Sequence, residues 1–229
     1  MNTTLVVNPK GGSGKTTIAI NLASRFASDG IPTTLMDYDP QGSSLHWLRL
    51  RDAELPRIAG ASGAPEKFGR LRSFDMYVPP ETRELIIDAP AGASGLLLHD
   101  MLNRAQSVLV PIVASPIDIH ATGQFIQDLL ARPRPFRLGV VANKVRVSMP
   151  AYQPLLRFLE SIGVKPLARL LDSDVYLRAA ETGVGIFELE PHTTVAERQQ
   201  FEPIVQWVWR EESRISDAEE VTPIRRVAY

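Results

Sequence analysis

The stretch TTLVVNPKGGSGKTT at positions 3–17 leaves the chain little choice of fold. An apolar, β-forming run breaks into a glycine-rich loop, and the loop opens into a segment with Ile18, Leu22, Ala23 and Phe26 at helical spacing. Gly30 ends that helix and Pro32 keeps it from resuming. Similar apolar runs recur at 33–37, 84–89, 107–113, 137–143 and 166–170. Segments of helical period lie between and after them, at 41–52, 94–104, 119–131, 152–161, 175–181 and 194–213. Strands separated by helices and apolar on both faces form parallel sheets with right-handed crossovers. The expected fold class is therefore α/β, a mostly parallel, doubly wound sheet flanked by helices. Its ligand is expected beyond the carboxyl ends of the strands.

With 229 residues and 44% hydrophobic content, one core can be filled. A single domain is expected over 1–214, followed by a tail over 215–229 without fixed structure. Residues 55–80, rich in Gly, Pro and Ala, are expected to be irregular, and no internal repeat is found. There is no cysteine, so disulfides, thiol catalysis and thiolate-held metals are excluded. No signal-peptide pattern and no run long enough to span a bilayer is seen, so a cytoplasmic location is expected. The net charge of −1 gives no global attraction for nucleic acid or membrane; such a surface would have to be local.

The loop carries its own chemistry. Gly11, Gly12, Ser13 and Gly14 lie between a strand and a helix, where backbone N–H groups without nearby Cβ atoms can converge on phosphate oxygens. The helix N-terminus, starting near Thr16 and Thr17, adds its dipole to the same place. Lys15 is placed to reach the β- and γ-phosphates of a nucleotide, and the Thr16 hydroxyl to ligate Mg²⁺. The usual first glycine of such a loop is replaced by Pro9, and a second lysine, Lys10, follows it.

Acidic residues end two apolar runs. LMDYDPQG sets Asp37 and Asp39 after one, and LIIDAPAG sets Asp88 after another. A carboxylate at a strand tip is costly unless it meets a cation or a donor. Asp88 suits the role of holding Mg²⁺ through a water; of Asp37 and Asp39, one can orient an attacking water while the other supports the magnesium shell.

Together KGGSGKTT, DYDPQG and IIDAP resemble the deviant Walker A, Walker A′ and Walker B motifs of the ParA/MinD family of ATPases, which are P-loop NTPases of the SIMIBI class. The order and spacing agree along essentially the whole chain. The resemblance implies ATP and Mg²⁺ as cofactors and a nucleotide-sandwich homodimer, in which Lys10 reaches the phosphates of the partner's ATP. It implies that Asp39 positions the attacking water and that Asn143, in VVANKV, contacts adenine.

Within the family the chain resembles two small groups: the McdA group, which spaces carboxysomes over the nucleoid, and the ParF-like plasmid-partition ATPases. The run VVANKVR and YLRAAETGVGIFEL favour the first. This implies slow hydrolysis, stimulated by a cargo-adaptor protein, and nucleoid association. Residues 132–178 hold nine basic and three acidic residues, whereas the rest of the chain is acidic. A local basic face of that kind could bind DNA without sequence preference. The candidate contacts are Arg146, Arg157, Lys165, Arg169 and Arg178, although Tyr176 stands where many relatives have arginine. Only seven residues precede Asn8, too few for a helix-turn-helix, so operator-specific reading is not expected. The helix near 194–213 carries an apolar face suited to packing, and its acidic content argues against a MinD-like membrane contact. An ATP-dependent ligase or reductase on the same scaffold is the alternative from another class.

Overall fold

The computed structural model describes residues 1–64, 76–133, 136–146, 150 and 152–209. Seven strands form one sheet: β1 (Asn2–Val6), β2 (Thr33–Asp37), β3 (Ile58–Ser62), β4 (Glu84–Asp88), β5 (Ser107–Val113), β6 (Arg137–Val145) and β7 (Pro166–Leu171). Their order is β3-β2-β4-β1-β5-β6-β7, and every neighbouring pair is parallel. The helices are α1 (Lys15–Ser28), α2 (Ser43–Leu50), α3 (Gly95–Arg104), α4 (Pro116–Leu130), α5 (Tyr152–Ser161), α6 (Asp174–Glu181) and α7 (Val195–Trp209).

Alternation along the strands produces two cores. Leu5 faces the layer built by α3, α4 and α5, with Met101, Leu102, Ile126, Leu155 and Leu159 buried in it. Val6, one residue on, faces the layer of α1, α2, α6 and α7, with Phe26, Trp47, Val175 and Phe201. That is the doubly wound arrangement predicted from the apolar runs. Because β1 lies between β4 and β5, the loops after all three strands meet at one end of the sheet.

One expectation fails. Residues 58–62, placed in an irregular stretch, form the edge strand β3. Its sequence IAGAS has too little bulk to show as an apolar run, and that smallness has a use. A Cβ on Gly60 would come within 3.0 Å of Leu45 and Leu48, so glycine lets α2 lie close over the edge. The tail at 215–229, the end of the predicted last helix and part of the 55–80 stretch lie outside the described residues.

The far end of α2 is clasped by the segment after α6. Arg51 donates to both carboxylate oxygens of Glu188 at 2.6 and 2.8 Å, and to the carbonyls of Gly183 and Pro56. Its guanidinium lies 5.0 Å from the Trp47 ring centroid, and the Trp47 indole N–H donates to Val184 O. Gly183 adopts φ +71°, and a Cβ there would press on the backbone of Leu50 and Arg51 at 2.5 Å. Trp47 is thus a core residue that fastens a helix to a loop.

Candidate nucleotide-binding site

Asn8 sets the course of the glycine loop. Its side-chain amide donates to Pro111 O at 2.6 Å and to the Thr122 hydroxyl, while its Oδ1 accepts the Lys10 N–H at 2.8 Å. The loop then turns through Gly12 and Gly14 at φ +75° and +90°, backbone positions costly for any residue with a Cβ. At Gly14 a Cβ would lie 2.1 Å from Asn143 Nδ2. That nitrogen donates to Ser13 O at 2.8 Å, so the Asn143 side chain rests on the loop backbone. Asn143 is followed by Lys144 at φ +51°, a non-glycine residue in left-handed backbone, where β6 and β7 lose register.

The two lysines of the loop behave differently. Lys15 is buried, and its ammonium donates to Lys10 O at 3.0 Å. Burial pushes its pKa down, against the pull of the Asp88 and Asp39 carboxylates. The Lys10 side chain is half-exposed, and its ammonium makes no ion pair among the described residues. One lysine is folded inward over the loop, and the other is left at its rim.

The sheet brings Asp37 and Asp88 side by side, because β2 and β4 pair in a register that matches these two residues. Both are buried. Asp37 spends both oxygens on the chain: Oδ1 accepts the Asp39 N–H at 2.8 Å, and Oδ2 accepts the N–H groups of Ser44 and Leu45 at 2.9 and 3.2 Å. It thereby caps α2, whose N-cap residue Gly42 offers no side chain. Asp39 lies half-exposed on the turn that Asp37 organises, and accepts the Gln41 N–H at 2.9 Å.

Asp88 accepts the Ser44 hydroxyl through Oδ2, whereas its Oδ1 is buried without a hydrogen-bond partner among the described residues. Burial lifts its pKa to about 7; the Ser44 and Thr16 hydroxyls and Lys15 pull it down, and Asp37 pushes it up. An orphaned buried carboxylate oxygen is an expensive feature unless something is meant to meet it. The N-terminus of α1 likewise has no side-chain cap, so its N–H groups are available to a ligand. A nucleotide phosphate fits the glycine loop and this helix end, and a magnesium ion fits beside Thr16 and Asp88. Among the described residues, Asp37, Asp39 and Asp88 do not converge into a three-carboxylate cage.

Comparison with known proteins agrees with this arrangement. The model of the CobQ/CobB/MinD/ParA nucleotide binding domain matches residues 4–184, most of the chain. The chain belongs to that family. Among curated relatives, the maintenance of carboxysome distribution protein A of Halothiobacillus neapolitanus is 26% identical over 195 residues, covering 82% of this chain and 87% of that protein. The chromosome-partitioning ATPase Soj of Thermus thermophilus is 50% identical over 136 residues, about half of either chain. Among solved structures, apo McdA of Cyanothece superposes with a TM-score of 0.66 at 16% identity over 91% of this chain and 99% of that one. MinD of Pyrococcus horikoshii, solved with Mg-ADP, gives 0.70 at 14% identity over 93% and 98%. At such identities the structures speak for the fold alone.

As a ParA/MinD-type P-loop ATPase, the chain uses residues that its motifs alone did not point to. Ser44, Asn8 and Thr122 are buried polar residues of the site. Asn8 was visible at the strand tip, but Ser44 and Thr122 have meaning only through partners 44 and 114 positions away. The basic candidates are exposed but spread around the β7 edge of the sheet. Arg157 is on α5, and Arg169 lies over Tyr152 of the same helix at 5.6 Å. Arg178 belongs to α6 on the opposite face, and Lys165 precedes β7 at the end away from the glycine loop. Arg146 is paired with Asp172 at 2.9 Å. Arg137 leaves the basic surface altogether: it donates to Trp207 O and the Ser107 hydroxyl and lies 4.4 Å from the Trp207 ring centroid, binding α7 to the sheet.

The raised Asp88 pKa makes a signed prediction. A carboxyl that titrates near 7 when folded, against 3.8 ordinarily, holds its proton more tightly in the native state. Its contribution to stability without ligand is full below the ordinary value and is lost as pH rises through about 7. The nucleotide-free protein is therefore expected to gain less from acidification to about pH 5.5 when Asp88 is replaced by Asn. Urea midpoints of both proteins at about pH 5.5 and pH 7.5 check this; equal pH responses would count against it.

Proposed function

We propose that the chain is an ATPase that closes into a homodimer around ATP and Mg²⁺, binds DNA without sequence preference while closed, and thereby positions a cargo. The observation that carries the reading is the division between the two loop lysines. Lys15 is buried over its own loop, while the Lys10 ammonium at the rim has no ion-pair partner among the described residues. A cation at that rim can stabilise phosphoryl charge held by a second copy only when two sites face each other, which couples nucleotide state to assembly.

In this scheme Gly11 to Thr17 hold the phosphates. Thr16 and Asp88 hold magnesium, which would supply charge neutralisation at the β- and γ-phosphates. Asp39, half-exposed on the turn that Asp37 fixes, orients the attacking water. Asn143, besides bracing the loop, borders the space for adenine. Dimerisation doubles the phosphate contacts offered by Arg146, Arg157, Lys165, Arg169 and Arg178, so DNA avidity rises steeply on closure. An adaptor on the cargo that speeds hydrolysis would release the dimer from the nucleoid. The cargo we favour is the carboxysome, supported by the relative of that name that covers most of this chain. Partition of a plasmid or chromosome is the second reading, supported by the half-length stretch shared with Soj. No helix among the described residues is long and apolar enough to cross a membrane.

Co-sedimentation with DNA and with liposomes, in ATP, in ADP and without nucleotide, tests the switch. DNA binding is expected with ATP alone, and equal binding in all three states would sink the model. For assembly, Lys10→Ala is expected to stay monomeric in ATP where the wild type doubles its mass in light scattering. A variant that still dimerises would remove Lys10 from the bridge.

A further inference from the structure

Ser44 is fully buried at the start of α2 and places one donor on each of two adjacent carboxylates. Its N–H donates to Asp37 Oδ2 at 2.9 Å, and its hydroxyl donates to Asp88 Oδ2. Asp37 closes β2, Asp88 closes β4, and the two are register partners in neighbouring strands. The two bonds divide the work. The backbone bond caps α2 and survives any substitution except proline, whereas the hydroxyl donates to Asp88 and is also felt by the Asp37 carboxylate beside it. With Oδ2 engaged by Ser44, the oxygen left without a partner is Oδ1. Asp37 also receives the Asp39 N–H at 2.8 Å, so the turn that carries Asp39 is fastened to Asp88 through Asp37 and Ser44 together.

We propose that Ser44 is a positioning residue for the magnesium site: its hydroxyl holds Asp88 by Oδ2 so that Oδ1 is presented to the cation beside Thr16. The claim rests on the magnesium reading above and adds a residue outside the three motifs. Without the hydroxyl, the buried carboxylate loses its hydrogen bond at Oδ2 and is left to turn toward the Thr16 hydroxyl and the Lys15 ammonium, both of which already draw on it. Ligand-orienting hydrogen bonds of this kind typically govern metal affinity by about 10- to 100-fold.

The test is binding of a fluorescent, non-hydrolysable ATP analogue by the full chain, first in EDTA and then along a Mg²⁺ titration. In Ser44→Ala, the Mg²⁺ concentration for half-maximal tightening should rise roughly tenfold while analogue affinity in EDTA stays near wild type, and the protein should still unfold cooperatively, at a midpoint lowered by the loss of one buried hydrogen bond. Ser44→Thr, which keeps the hydroxyl, should restore the Mg²⁺ half-point to within about threefold. An unchanged half-point in Ser44→Ala overturns the proposal. So does an equal loss of affinity in EDTA, which would mark Ser44 as a support for the fold alone. A Ser44→Thr protein that binds normally in EDTA but keeps the high half-point also overturns it. A wild-type chain indifferent to Mg²⁺ would instead remove the magnesium reading itself.

Discussion

Lys15→Ala is expected to lower ATP hydrolysis by at least about a hundredfold, the scale seen when a preorganised charge is taken from a phosphoryl-transfer or acyl-transfer site. The reason lies in how the ammonium is held. It is buried at the base of α1 and anchored at 3.0 Å to Lys10 O; desolvation pushes its pKa down, and the Asp88 and Asp39 carboxylates pull against that shift. A charge fixed this way needs no reorganisation when phosphate charge develops nearby. The nucleotide-free protein is expected to keep its fold without it, since the desolvation of the ammonium offsets much of what Lys10 O and the two carboxylates contribute. Phosphate release and thermal unfolding, measured on one preparation, give both halves. Residual hydrolysis above about a tenth of wild type, with the fold intact, would take the main catalytic charge away from Lys15.

Arg51→Ala is expected to cost about 3–5 kcal/mol of stability, because it strands a carboxylate in the interior. The Arg51 and Glu188 side chains are only 6% and 4% exposed, and Glu188 has few other donors: the Gly185 N–H at 2.8 Å and a marginal contact from the Ser28 hydroxyl at 3.4 Å. Adding Glu188→Gln to Arg51→Ala should recover part of the loss, since the stranded charge is then gone and only packing and two carbonyl contacts are missing. Urea titration of the three proteins measures this. A single-variant loss below about 1 kcal/mol would show that water reaches Glu188 and that the clasp on α2 is loose.

Most of the architecture was legible because it is written in local patterns. Six strands and seven helices show as apolar runs and helical periods, and Asp37, Asp88 and the glycine loop appear where the strands end. β3 was not legible, since Ala59, Gly60 and Ala61 are chosen for the closeness of α2 rather than for apolar bulk. Ser44 was hidden for another reason. A serine in the first turn of a helix is an ordinary choice, and nothing nearby in sequence says that Asp88 arrives beside it. Asn143 was visible as a polar residue ending a strand, but its contact with Ser13 O joins positions 130 apart, which no local pattern announces. Arg137 counted as surface charge until the packing of Trp207 on its guanidinium showed otherwise.

The order of the strands has a consequence for how copies of the chain can meet. A seven-strand parallel sheet leaves two borders, and among the described residues β3 pairs only with β2, and β7 only with β6. An open border is a template on which another chain can add itself without limit. Here β7 begins at Pro166, which offers no N–H, and carries exposed Arg169 midway; β3 is five residues of low bulk. Both borders are poor templates, so growth by edge-to-edge stacking is discouraged at either side. The dimer proposed above uses instead the end of the sheet where the loops gather. In that dimer, contact between copies answers to what the loops hold, and the guarded borders keep the copies from joining in the one way that has no release.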